Sequence, residues 1–276
     1  METPVAAIER LIAQDPGQRN IAGLVQPDHL RQAALALSSA KKVAIVSGFF
    51  VPAAQAGETD GPPGAKALGD ALLALGIPVD YVTDAANLPL FQAQGAEPLY
   101  VYHPALLEEL DPSNLIAVER LGRARDGRYY NMRGEDLTPH TAPLDEMFIG
   151  AEQFGILTIG IGDGGNEIGM GRVIDEVTRS VACGDRIAST VVTDYLIVAG
   201  ISNWGAYGLA GALSLAKNRD LLPTARAARR CVMDLVDAGA VDGVTLKFGA
   251  TVDGLPLDHS LDLLEQIRRY VSDATG

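Results

Sequence analysis

Short runs rich in β-branched and apolar residues alternate along this chain with longer Ala- and Leu-rich amphipathic stretches. That alternation constrains the fold more than any other feature, because it reads as repeated βαβ units on a mainly parallel sheet. Strands are expected at 43–48, 78–84, 98–103, 115–120, 157–161, 194–199 and near 244–248. Helices are expected from 63 to about 75, 144–154, 206–217, 224–237 and from about 260 onward, with a turn at Asp253-Gly254. The fold class is therefore α/β, a mainly parallel sheet flanked by helices in a three-layer, doubly wound arrangement. At 276 residues and 47% hydrophobic content the chain can bury a sizeable core. It reads as one domain over 1–276 with a helical lead-in over 1–38.

Ligands of open α/β sheets bind in the crevice outside the carboxyl ends of the strands, so strand-end residues are the place to look for chemistry. Those ends supply Ser47, Asp84, Glu119 with Arg120, Asp163 with Asn166 and Glu167, and Ser202 with Asn203. The loop Gly160-Ile161-Gly162-Asp163-Gly164-Gly165 formally matches the G-x-G-x-x-G dinucleotide fingerprint. A carboxylate at Asp163 repels a pyrophosphate, and no acidic ribose partner stands at a strand end about 20 residues on, so NAD is not expected. Glycines mixed with Asp163, Asn166 and Glu167 suit amides and oxygen ligands gathered round a hard cation or a carboxylate. The plainer alternative is a tight turn in which Asp163 or Asn166 caps a helix.

Two further segments carry charge that needs a partner. Residues 119–134 hold Arg120, Arg123, Arg125, Arg128 and Arg133 in an otherwise acidic protein, and guanidinium forks grip carboxylates bidentately. Arg120 is the best placed of them, at a strand end beside Glu119; the alternative for each is a solvated basic loop. Glu58 and Asp60 precede Pro62-Pro63, whose fixed backbone starts a helix with free amides, unless Thr59 or Asp60 merely satisfies the turn. If Glu58, Asp60, Glu119, Asp163 and Glu167 meet, they cannot all stay charged without a cation or arginines between them. Mg2+ or Mn2+ is the simplest such cation. Trp204, the single tryptophan, either walls a pocket or packs in the core, and Asn203 beside it is the better placed to touch a ligand.

Composition excludes several classes. A net charge of −13 and a pI near 4.7 argue against nucleic acid and against an anionic membrane surface. Cys183 and Cys231 lie too far apart in sequence to suggest a zinc site or a disulfide framework. His29, His103, His140 and His259 form no ligand pair, and no G-x-S-x-G elbow occurs. No export signal opens the chain and no run of about 18 apolar residues interrupts it, so a cytoplasmic protein is expected, with a homo-oligomer left open.

Five motifs, in order, resemble the D-glutamate cyclase family: Glu58-Thr59-Asp60-Gly61-Pro62-Pro63-Gly64-Ala65, the stretch from Glu119-Arg120 to Tyr129-Tyr130-Asn131, the run from Gly160 to Gly171, Ser202-Asn203-Trp204-Gly205, and Val252-Asp253-Gly254-Leu255-Pro256. The resemblance spans about 40–270 and matches the catalytic C-terminal domain of the longer animal members, which implies a catalytic unit that folds alone. It also implies a hydro-lyase that converts D-glutamate to 5-oxo-D-proline and water by intramolecular lactam formation. Set on these residues, the reaction puts Glu119, Asp163 and Asn166 in catalytic roles, with Glu119 taking the amine proton. Arg120 or Arg123 clamps the α-carboxylate, Gly164 and Gly165 offer oxyanion amides, and Ser202, Asn203 and Trp204 line the substrate site. Glu58, Asp60, Asp163 and Glu167 are the expected ligands of a Mg2+ or Mn2+ ion that polarises the γ-carboxylate. A nucleotide-dependent enzyme and a non-catalytic carboxylate-binding protein remain the competing classes on such a scaffold.

Overall fold

The computed structural model describes residues 2–275. Helix α1 (Pro4–Ile12) is started by Thr3, whose side chain accepts the Ala6 amide, and α2 (His29–Leu37) follows it. Next come β1 (Val43–Ser47), a small hairpin of β2 (Phe50–Val51) and β3 (Ala56–Gly57), and α3 (Pro62–Ala74), with proline in its first turn. Then follow β4 (Val79–Thr83), α4 (Leu88–Ala93), β5 (Leu99–Val101), α5 (Leu106–Leu110) and β6 (Asn114–Val118). Helix α6 (Asp145–Gly150) leads to β7 (Leu157–Gly162), α7 (Ile174–Ser180), α8 (Gly184–Ile187) and β8 (Tyr195–Val198). The chain closes with α9 (Ser202–Lys217), α10 (Ala225–Asp237), the hairpin β9 (Thr251–Val252) and β10 (Leu255–Pro256), and α11 (Leu257–Thr275).

Six strands make one parallel sheet in the order β5-β4-β1-β6-β7-β8. The chain enters at the centre, builds out to β5, then returns to β6 and builds to the opposite edge, which is the doubly wound order. The central strands β1 and β6 are buried along their whole length because helices cover both faces. Val43 and Ile45 point into the layer formed with α1, α3, α9 and α11, whereas Ala44 and Val46 meet α5 and the Leu144–Phe148 segment. Helix α9 lies at the heart of the first layer, and every residue from Ser202 to Ser214 is buried. Its neighbours approach so closely that a Cβ on Gly208 would fall 2.8 Å from Ile12.

Three expectations are corrected. Residues 244–248 form no strand: the buried Asp242 carboxylate accepts the amides of Val244 at 2.9 Å, Thr245 at 2.8 Å and Gly254 at 2.8 Å, which winds the segment into a loop. The glycine run after β7 does not enter a helix directly. The chain instead crosses back over the sheet, where a Cβ on Gly160 would fall 2.4 Å from the Ile168 carbonyl oxygen, and α7 starts only at Ile174. Helix α9 begins four residues before the expected 206, for a reason that belongs to the site. The turn at Asp253-Gly254 links β9 to β10 with φ of 54° and 80°, as a two-residue hairpin requires. Among the described residues no helix is long and apolar enough to cross a membrane.

Candidate active site

The connections reverse direction between β1 and β6, and a crevice opens there at the carboxyl ends of the strands. Glu119 is the first residue past β6, with φ of 45°, so the chain turns sharply as it leaves the sheet. Asp60 arrives from the loop before α3 and Asp163 from the loop after β7. These three buried carboxyl groups bring one oxygen each to within 4.8 Å of one another. Two helix starts hold the arrangement in place. Asp60 accepts the Ser202 and Asn203 amides at 2.9 and 2.8 Å, neutralising the positive end of α9. In return the Asn203 side-chain oxygen accepts the Gly61 and Gly64 amides at 3.2 and 2.7 Å, and its nitrogen donates to the Thr59 carbonyl at 3.1 Å. The Ser202 hydroxyl donates to Glu119 at 2.5 Å.

A cavity of about 380 Å3 sits over this cluster, with Glu58, Glu119, Asp163 and Asn166 among its buried wall residues. One guanidinium enters from the N-terminal segment: Arg19 lies 2.6 Å from Asp163 and 2.7 Å from Asp253. The Asp15 carboxylate fixes that segment by accepting the amides of Arg19 and Asn20 at 2.9 and 2.8 Å. Burial pushes the Asp60 carboxyl up to about 7, aided by Asp253 and opposed by the Asn203 and Ser202 amides. Burial, reinforced by neighbouring carboxylates, also drives Glu58, Glu119 and Asp163 well above the ordinary carboxyl range, with Arg19 opposing it at Glu58 and Asp163. At Arg19 burial works against the charge, yet Asp163, Asp253 and Glu119 raise its pKa. The second oxygen of Asp163 is buried without a hydrogen-bond partner. Three hard carboxylate donors with an orphaned oxygen form a set that could hold a metal ion.

Residues 8–268 match the family described as D-glutamate cyclase-like, C-terminal. The chain belongs to that family. It is 39% identical over 236 residues to the human protein named D-glutamate cyclase, mitochondrial, a match that covers 76% of this chain and 38% of the human one. The chain thus spans well under half the length of that curated relative. A crystal structure of an exopolyphosphatase-related protein from Bacteroides fragilis is a partial likeness, with 12% identity, a TM-score of 0.47, and coverage of 91% of this chain and 62% of that one.

The family's motifs converge on the crevice, but several of their residues serve the scaffold rather than face the cavity. Arg120 is buried, donating to the Gly48 and Ala142 carbonyls and to Asp84, each at 2.7 Å, so it is no substrate clamp. Arg123 is locked onto Asp145, with its Nε donating at 2.7 Å. Glu167 is not free to bind a metal: its carboxylate accepts the amides of Asp163, Gly164 and Gly165 at 2.8, 2.6 and 2.7 Å. The same bonds occupy the Gly164 and Gly165 amides, which therefore offer nothing to an oxyanion. Trp204 packs in the core with its Nε1 donating to Ser260 at 2.8 Å, and the Asn203 amide is engaged at both ends. Asn166 lines the cavity while its side-chain nitrogen donates to the Tyr130 carbonyl at 2.7 Å. Sequence reasoning missed Arg19 and Asp253. Asp253 stood inside a quoted motif as a turn residue, whereas nothing near Arg19 marked it as the partner of Asp163 and Asp253, each more than a hundred residues further along the chain.

Proposed function

We propose that this chain cyclises D-glutamate to 5-oxo-D-proline with loss of water, in the crevice between β1 and β6. The observation that carries the reading is the meeting of Asp60, Glu119 and Asp163 from three distant segments, in a chain of the D-glutamate cyclase-like family. The reaction asks for three things: the ammonium must lose a proton, the γ-carboxylate must become electrophilic, and the folded conformer must be held with nitrogen and carbon in contact. A divalent ion of the Mg2+ or Mn2+ class, held by Asp60, Glu119 and Asp163, would supply the electrophilic pull on the γ-carboxylate.

The remaining tasks fall to side chains of the same cavity. Glu58 lines it outside the triad and takes the ammonium proton, a role suited to a carboxylate whose proton affinity burial has raised. Arg19, in place of Arg120 and Arg123, receives the α-carboxylate and leaves the ammonium facing the acids. Ser202 holds Glu119 in one orientation through its hydroxyl. Incubation of the protein with D- and L-glutamate, with 5-oxoproline resolved by chiral chromatography, tests the reading. Product from the D isomer that disappears with EDTA and returns with Mn2+ is expected. No D product rejects the activity, and turnover indifferent to EDTA rejects the metal.

A further inference from the structure

The cavity lining combines a cluster of carboxylates with apolar side chains. Its volume, about 380 Å3, lies in the roughly 300–1,000 Å3 range of small-molecule sites. Glu58, Glu119, Asp163 and Asp253 line it around the half-buried Arg19, with Glu135 and Arg133 exposed at its wall, so the lining carries more carboxylates than guanidinium groups. Phe49, Val51, Pro52, Val244 and Leu246 are among its apolar lining residues. Val244 and Leu246 remain 44% and 39% exposed because Asp242 winds their loop and holds it at the cavity mouth. The molecule thus keeps apolar side chains at the entrance to an acidic chamber, where a ligand reaching outward would cover them.

We infer that the site also accepts γ-amides of D-glutamate that carry an apolar substituent on the amide nitrogen, releasing the amine as 5-oxo-D-proline forms. The inference rests on the cyclase reading and uses the same bond formation. The α-nitrogen attacks the γ-carbonyl carbon, the new N–C bond closes the ring, and the bond from that carbon to the amide nitrogen breaks. The two protons shed by the α-ammonium pass to the departing nitrogen, which leaves as an alkylammonium ion; no water, oxidant or reductant is consumed. Such a substrate brings one carboxylate fewer into the acidic chamber, and its carbonyl carbon carries no anionic charge to repel the attacking amine. Its substituent extends to the exposed lining residues Val244 and Leu246.

The test compares D-glutamate with D-glutamine and with the γ-N-ethyl, propyl and butyl amides of D-glutamate. Release of 5-oxo-D-proline and of amine is followed over the rate without protein. Equimolar amine and lactam are expected, with kcat/KM rising roughly fourfold for each methylene buried. Leu246→Asn, at an exposed position, should flatten that rise across the amide series while the thermal midpoint stays in place. Turnover of D-glutamate with no turnover of the amides, or a kcat/KM that falls as the substituent lengthens, overturns the inference and leaves the cyclase reading standing. Turnover of neither acid nor amides overturns both.

Discussion

Arg120 and Arg19 show how little an arginine's sequence neighbourhood says about its task. Arg120 stands beside Glu119 at a strand end, yet its guanidinium ties Gly48, Asp84 and Ala142 together below the cavity. Burial favours the neutral form of Asp84, but Arg120 outweighs it and holds that carboxyl below the usual range. Removing the cation therefore strands a buried carboxylate. Arg120→Met is expected to cost about 3–5 kcal/mol of stability in urea unfolding, whereas a substrate clamp would instead raise KM with stability intact. Arg19 was legible only as one charge in a helical lead-in. Its partners Asp163 and Asp253 lie far along the chain, so its place in the site follows from how the N-terminal segment folds over the crevice.

At the scale of elements, the starts of α3 and α9 act as one device. Pro62-Pro63 announced the first, but the true start of α9 at Ser202 was hidden because its cap, Asp60, comes from another segment. Sequence rules look for the cap just ahead of the helix, and here Ile201 fills that position. Asn203→Ala leaves the Gly61 and Gly64 amides without their acceptor. A loss of about 1–2 kcal/mol is expected, with weaker Mn2+ binding because Asp60 sits in the loop that Asn203 anchors. Chemical unfolding and calorimetric titration check the two effects. The Gly160 to Gly171 run is a further element whose importance was plain and whose reason was not. Its glycines let the chain pass back across β7 and fold round Glu167, which holds Asp163 at the crevice.

For the whole molecule, the doubly wound strand order places the crevice, and the crevice gathers acids that raise one another's pKa. Asp60 rises from 3.8 to about 7, so the folded protein binds this proton more tightly than the unfolded chain does. The stabilisation it contributes is complete below its unfolded pKa and is lost as pH rises through the folded value. Metal-free protein is therefore expected to show a falling thermal midpoint from about pH 4 to pH 7, and Mn2+ to restore more of it at the upper end, where protons no longer compete. Scanning calorimetry in EDTA and in Mn2+ measures both.

The βα alternation, the apolar central strands, the helix-opening prolines and the acids of the family motifs were all determined by the sequence itself, because periodicity and turn chemistry act between near neighbours. Tertiary structure alone decided which acids meet, that Glu167 serves its own loop, that Arg120 and Arg123 are bound to the scaffold, and that Arg19 enters the site. A charge is satisfied by whatever lies within a few ångströms of it, and for Arg19 one of those partners, Asp253, comes from the opposite end of the chain.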